Sequence, residues 1–390
     1  MKKILLIVIL VLLISIPIFA QDAQEFLTPF TYISARIYGF GGAFTANPTG
    51  FEGLFFNPAG YSLPSNNHFS LIDLNIYFNP DLINFFQQTG GLQNIQASFS
   101  DPTFVSQLLK MKLGIGLSGL PFVGIMTGGL LIAIYDSAGL SASFIPTAAI
   151  PDIKISAVAE AGAVVGYSFK IGNFLYIGAN AKLIARAWAD IPQQSLVSVM
   201  DSFSSASNST LPFNVKFGYG FGFDLGALLK LGILQIGISA LNIPGIKIAY
   251  VESNDINEIL NGSLKPSGTA IIPVQINAGV ALNLGTFIPV LIDKVVLAMD
   301  VHSVNLLIND FNEYGFNLSL IGNYFYFGAE FRTLGLLTIR GGLYQGYPTF
   351  GFTLNLLLAK LSFAYYTKEL GMFPGTLPES NFVVTLSFSW

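Results

Sequence analysis

The sequence predicts an all-β fold: a transmembrane antiparallel β-barrel of about fourteen strands, with an N-terminal hatch, or plug, in its lumen. Three observations predict it. Only 10% of the residues are charged while 52% are hydrophobic, against about 25% charged in an ordinary soluble domain. Beyond residue 20 there is no run of about 20 apolar residues suited to a spanning helix. The apolar residues instead recur at every second position over many short stretches. A closed barrel faces lipid in this way while satisfying its backbone within the wall. The alternative is an unusually apolar soluble protein, and the character of the alternation separates the two.

Residues 1–20, MKKILLIVILVLLISIPIFA, place two lysines before a long apolar run and end on Ala20. This is the pattern of a secretory signal peptide rather than of a fold element. The chain has no cysteine, so disulfides play no part and lipid anchoring through a cysteine is excluded. Residues 21–66 read as the hatch. Within them, YGFGGAFTANPTGFEGLFFNPAG, 38–60, is too rich in glycine for a good helix and too irregular for an ordinary strand. Gly39, Gly41 and Gly42 allow close backbone packing, and Phe40, Phe44, Phe55 and Phe56 supply apolar contacts. Ala43 and Glu52 complete the run. Pro58 fixes the backbone, and the Asn57 side chain can bond backbone nearby. A first hairpin of the wall is the alternative reading; the lumen is what offers phenylalanines a place to bury.

Residues 67–390 read as the barrel. In KFGYGFGFD, 216–224, Phe217, Tyr219, Phe221 and Phe223 share one face, opposite Lys216, three glycines and Asp224. Residues 174–186 set Leu175, Ile177, Ala179, Ala181, Leu183 and Ala185 against Tyr176, Asn180, Lys182 and Arg186. Residues 273–284 repeat the period. A soluble sandwich carries a solvated face rich in Lys and Glu, whereas this polar face is mostly glycine, small residues and amides. The strands expected are 68–79, 111–120, 128–135, 154–169, 173–188, 212–225, 229–241, 271–285, 293–305, 323–332, 335–345, 349–357, 359–367 and 381–390. Bacterial barrels have an even strand count, long outer loops and short inner turns. On that rule 313–320 is a strand extension above the membrane. Outer loops fall near 80–110, 136–153, 189–211, 242–270, 306–322 and 368–380, and inner turns at 170–172, 226–228, 333–334 and 358. The closing stretch NFVVTLSFSW alternates cleanly and ends on an aromatic residue, which resembles the signal read by the outer-membrane barrel assembly machinery.

Two sets of side chains are candidates for function. Leu82, Phe85 and Phe86 cluster in one helical stretch of the outer loop 80–110, and Phe104 and Leu108 in another. Together they suggest an apolar capture surface, or else helices that cap the barrel by packing on each other. By alternation Arg186, Lys216, Asp300, Glu330, Arg332 and Arg340 point into the lumen, with Glu160, Lys182, Asp224, Lys294 and Lys360. Burial without partners is costly, so they are expected to pair across strands or with the hatch. The other reading is that Arg186, Lys216 or Arg340 meets a carboxylate headgroup in transit.

The segment ARIYGFGGAFTANPTGFEGLFFNPAGYSL, 35–63, resembles the N-terminal signature of the long-chain fatty acid transporter (FadL-like) superfamily, which includes related spirochaete and Bacteroidetes outer-membrane proteins. The matching residues are Gly41 to Ala46 and Asn57 to Gly60. The ending AYYTKELGMFPGTLPESNFVVTLSFSW, 364–390, also looks like the family's, as do FGAEF, 327–331, and TIRGGLYQG, 338–346. The resemblance implies a fourteen-stranded barrel closed by a hatch. It further implies capture of hydrophobic substrate by outer loops, an internal pocket, and exit through a wall opening made by a kinked strand, all without nucleotide. Many relatives carry aspartates between Ala46 and Phe55, where Glu52 is the only acid here. Some relatives act instead as accessory proteins of secretion systems.

No enzyme is expected. His68 and His302 are far apart, in no metal-ligand spacing, and no nucleophile and base group together. No cofactor or metal is implied, and a net charge of −4 without basic patches argues against nucleic acid. The expected function is passive passage of a hydrophobic small molecule, such as a fatty acid, through the outer membrane of a diderm bacterium. The chain is expected to act as a monomer among outer-membrane lipids. A structural or secretion-accessory barrel and a general porin are the other readings.

Overall fold

The computed structural model describes residues 25–29, 32–90, 101–145, 152–195, 198–199, 210–262, 264–286, 292, 294–356, 358–371 and 373–389. The signal peptide expected over 1–20, most of the Ser/Asn stretch 202–210 and the terminal Trp390 lie outside the described residues. Fourteen antiparallel strands form one closed barrel. In chain order they are β1 (His68–Phe78), β2 (Lys112–Ser118 and Val123–Thr127), β3 (Leu130–Ile145), β4 (Asp152–Ile171), β5 (Leu175–Ser195), β6 (Thr210–Leu231) and β7 (Leu234–Ile243 and Ile246–Asp255). There follow β8 (Gly268–Ile272 and Gln275–Gly285), β9 (Lys294–Val301), β10 (Phe325–Thr333), β11 (Leu337–Tyr344), β12 (Tyr347–Asn355), β13 (Lys360–Glu369) and β14 (Pro378–Ser389). The barrel closes where β14 pairs with β1, with Val384 opposite Ile76.

Alternation fixes which side of the wall each residue faces, because successive side chains point to opposite faces. Tyr219 on β6 is 62% exposed on the outside, whereas Arg186 on the neighbouring β5 is 6% exposed on the inside. Phe221, Leu183, Val165 and Phe350 extend the apolar exterior, and among the described residues no helix is long and apolar enough to cross a membrane. An apolar outside around a polar inside is the reverse of a soluble protein. It marks a transmembrane barrel of the bacterial outer membrane. Short turns at 128–129, 172–174, 232–233 and 334–336 gather at one rim, which the same rule makes periplasmic.

The strands run further than their bulky residues suggest. β3 to β6 continue through much of 136–153 and 189–211, where alanines such as Ala138, Ala142 and Ala189 hold outward positions and keep the period without advertising it. The region 242–270 holds the outer half of β7, then α1 (Ile256–Leu260), then the start of β8. The inner turn expected at 226–228 lies at 232–233, where Gly232 takes φ +64°. The stretch 313–320 is not strand: α2 (Val304–Tyr314) and α3 (Leu318–Tyr324) meet across Gly315. Four alternating apolar residues fit a helix, a break and a second helix as well as they fit a strand.

Inside the wall, the N-terminal segment supplies most of the core. Ile37, Phe40, Phe44, Leu54, Phe56 and Tyr61 are buried together with Tyr135, Val164, Val296 and Tyr326 from the strands. The segment is seated on glycines of the wall. A Cβ at Gly237 would lie 2.2 Å from the Thr45 carbonyl oxygen, one at Gly226 2.0 Å from Asn57 Oδ1, and one at Gly328 2.3 Å from the Phe40 carbonyl oxygen. Backbone therefore approaches backbone where a side chain would hold them apart. We predict that Gly237→Val leaves a barrel with normal heat-resistant migration on gels but unseats the segment, so that residues 40–60 become accessible to protease and the barrel gains ionic conductance in planar bilayers.

Candidate functional site

The N-terminal segment runs down through the lumen, and each of its turns is fixed locally. Ser34 accepts a hydrogen bond from the Arg36 N–H (3.2 Å) and starts the one-turn helix Ala35–Gly39, as an N-cap does. Asn57 is fully buried. Its Oδ1 accepts from the Ala59 N–H (3.0 Å), and its Nδ2 donates to the carbonyl oxygens of Thr45 (2.8 Å) and Ala227 (3.2 Å), tying the segment to β6. The Thr45 N–H donates to Asp300 Oδ2 (2.6 Å), and the Thr349 hydroxyl donates to the Tyr38 carbonyl. These bonds hold the segment in the bore from several directions.

Among the described residues, two cavities of more than 200 Å³ border it. The outer one, about 220 Å³, is bounded by Tyr32, Phe55, Phe56, Asn277, His302 and Tyr326 among others. The inner one, about 330 Å³, lies towards the periplasmic rim and is bounded by Tyr32, Phe55, Asp73, Phe122, Lys294 and Arg340 among others. Tyr32 and Phe55 border both. Their rings stack at 4.6 Å with 7° between planes, so this one pair is the partition. Tyr32 also meets Phe122 (5.6 Å), and Phe55 meets Tyr135 edge-on (5.1 Å). Stacked and edge-on aromatic pairs are cohesive, yet each contact is worth only about 1 kcal/mol beyond burial. Such a partition can part and re-form.

Phe122 reaches the partition from a break in the wall. The two halves of β2 pair with β1 through Asn75–Phe78 and His68–Ser70, and with β3 through Ser137–Ser143 and Leu130–Ile134. Residues 119–122 leave the ladder between them. Gly119 takes φ +81°, a conformation a side chain would strain, and a Cβ there would also meet the Asp73 carbonyl at 1.8 Å. Pro121 has no N–H to give the ladder. Leu120 is 51% exposed on the outside, whereas Phe122 turns inward and is buried. A second interruption, between the halves of β7 and β8, is drawn inward and closed: Ile246 and Ile248 fill the space over Gly218, Gly220 and Gly222 of β6.

Of the residues singled out from the sequence, Gly39 to Phe44 and Phe55 to Pro58 lie in the lumen, and Glu52 pairs with Arg36 there. Each lumen cation singled out by alternation faces inward. Arg186 meets Glu160 at 3.4 Å and donates to the Thr28 carbonyl, Lys216 holds Glu25 at 2.7 Å, and Arg340 and Lys294 hold Glu330 at 2.7 and 2.8 Å. Asp300 binds the Thr45 amide and His302, and Arg332 lines the inner cavity. The outer-loop residues go elsewhere. Phe85, Phe104 and Leu108 are buried in a separate cluster with Met111, Phe144 and Ile153, against the outer face of β3 and β4. Phe86 stays exposed, and neither it nor Leu82 lines either cavity. The sequence reading missed Tyr32, Phe122 and Tyr135. The signal for Phe122 was Gly119-Leu120-Pro121 inside an otherwise alternating run.

The fold and site together define a class: a transmembrane barrel whose lumen is filled by its own N-terminal segment and whose wall is broken beside that filling. No family model matches the chain, and no curated protein is similar to it. Among solved structures it is similar to the Pseudomonas putida toluene transporter TodX, at 12% identity over 94% of this chain and 99% of that one, with a TM-score of 0.43. It is similar also to a Pseudomonas aeruginosa FadL homologue, at 12% identity over 94% and 99%, TM-score 0.44. A third is the CymD monoaromatic hydrocarbon channel, at 12% identity over 92% and 97%, TM-score 0.43.

Two predictions follow from the bonds of the segment. Asn57→Ala removes a buried amide and strands the Thr45 carbonyl, at a cost of about 1–3 kcal/mol, read as faster hydrogen exchange over residues 45–60 with the strands unchanged. At the other end, Glu25 lies in a short strand, Glu25–Phe26, parallel to the outer half of β8. It accepts from Lys216 Nζ (2.7 Å) and from Trp188 Nε1 (2.9 Å). Burial pushes its carboxyl up, but these bonds and the Lys216 charge outweigh burial and hold it below the ordinary 4.5. A carboxyl held low in the docked state contributes fully above its free value and loses that contribution as pH falls below it. Trp188 fluorescence is therefore expected to shift on acidification below about 4.5, and to stay flat in Glu25→Gln.

Proposed function

We propose that this protein is an outer-membrane channel of the FadL-like kind that passes hydrophobic compounds by diffusion, with lateral exit through the break in β2. The observation that supports this reading is that Tyr32 and Phe55 border both cavities while the Tyr32 ring meets Phe122, the residue filling the break, at 5.6 Å. A hydrophobe in the outer cavity is then one aromatic rearrangement from the wall opening and need not enter the periplasm. The N-terminal signature at 35–63 supports the same reading, and a general porin would need a bore that this segment leaves open. The paired cations Arg186, Lys216 and Arg340 are read as holding the filling in place rather than as meeting a cargo headgroup.

The test is uptake of a labelled hydrophobe by diderm cells lacking their own hydrophobe channels. Expression of this protein should raise uptake, and Phe122→Trp, which overfills the break, should lower it severalfold at equal amounts of folded barrel. Uptake unchanged by expression would overturn the reading, and a stoichiometric protein partner purifying with the barrel would favour the accessory role.

A further inference from the structure

We infer that the break in β2 passes uncharged hydrophobes and rejects carboxylate anions, because two carboxylates bracket it. This rests on the lateral route proposed above. On the luminal side stands Asp73, which borders the inner cavity beside Phe122. Its Oδ2 accepts the Tyr32 hydroxyl at 3.1 Å, and its own carbonyl lies against Gly119. On the lipid side stands Asp136 of β3. It shares the outward parity of Ile132, Ile134 and Leu140, which are 46%, 50% and 46% exposed. Its carboxylate faces the N–H groups of Gly119 and Leu120, and its backbone carbonyl accepts from the Gly119 N–H at 3.2 Å. Its Oδ1 is shut away from solvent and has no hydrogen-bond partner among the described residues.

An acid on the lipid face of a barrel works against the wall's own insertion, so the placement of Asp136 at the break rather than on either rim has to be accounted for. Part of the account is local: the break frees backbone amides, and a carboxylate is a strong acceptor for them. The consequence reaches further. Any group leaving through residues 119–122 passes between Asp73 and Asp136 in a medium of low dielectric, where like charges repel strongly and a neutral chain is unaffected. The cations nearby are engaged by other groups. Arg36 is paired with Glu52, and Lys294 and Arg340 with Glu330. Lys360 lines the inner cavity as well and donates to the Ser389 hydroxyl at 2.8 Å. The cargo class the break selects is therefore the neutral hydrophobe, including one with a hydroxyl that can donate to either acid.

The test uses full-length protein in outer-membrane vesicles and two photoreactive dodecyl probes alike but for the head, an alcohol and a carboxylate, at neutral pH. Labelling is read at Phe122 and Tyr32, which are buried and cannot be reached from the surrounding lipid. The alcohol is expected to label them on the order of tenfold more than the acid. Asp73→Asn with Asp136→Asn should bring the acid to within about twofold of the alcohol. Each single variant is expected to fall between, and folding is checked by heat-resistant migration. Equal labelling by both probes in the unaltered protein overturns the charge selection while leaving the route standing. Labelling of neither residue by either probe, in vesicles where uptake is measured, overturns the lateral route itself.

Discussion

Close approach of backbone to backbone between the N-terminal segment and the inner wall is the constraint on which the rest of this structure depends. A fourteen-stranded barrel encloses more space than its own inward side chains fill. Here that space is taken by a segment pressed against Gly226, Gly237 and Gly328. Because the contact is made by main chain, the polar groups of the segment must be answered one by one, and they are: Asn57 answers Thr45 and Ala227, and Asp300 answers the Thr45 amide. The luminal ion pairs add directional restraint. Buried pairs are poor sources of net stability, but removing one partner is expensive. Glu330, shared by Lys294 and Arg340, resists any single displacement of the wall around the segment.

A filling anchored in this way concentrates its freedom where anchoring is weakest. The partition Tyr32–Phe55 is held by ring contacts and by the Tyr32 hydroxyl on Asp73, and Phe122 lies in a stretch whose ladder bonds are already lost. The expensive contacts hold position and the cheap ones lie between the two cavities, so the same segment can both seal the bore and yield locally. Regions of low local stability are where gating elements are found.

Much of this could be read from the sequence, for a physical reason. Alternation of Phe, Tyr and Leu with Gly, Asn and rare charges is imposed by a wall with lipid on one side and a lumen on the other, so the facing of Arg186, Glu330 and Arg340 followed from period alone, and strand number from period together with an even count. Alanine on the outward face left strand lengths illegible: Ala138, Ala142 and Ala189 satisfy the period without the bulk that reveals it. The break in β2 was written in Gly119 and Pro121, but those residues read equally as a turn between two strands. Whether a strand resumes in line or reverses depends on its neighbours, here β1 and β3, and no local pattern carries that. The helix pair at 304–324 was hidden for a similar reason, since Tyr314 to Leu320 alternate over a span too short to exclude a broken helix.

The outer loop shows the same limit from the other side. Phe85, Phe104 and Leu108 have the spacing of an amphipathic surface, and that surface exists, but it is spent on the outside of β3 and β4 rather than left open. The helices are well specified on their own terms, with Asn79 and Asp101 capping their first turns and Gly90 closing one of them. What the sequence cannot specify is which apolar face meets them. Long outward-facing strands provide that face above the membrane, where the wall would otherwise expose apolar residues such as Phe144 and Ile153 to water. The helices thus follow from the height of β3 to β6, just as the filling of the lumen follows from the width of the barrel. In both places the barrel's dimensions, rather than local propensity, decide where the aromatic residues go.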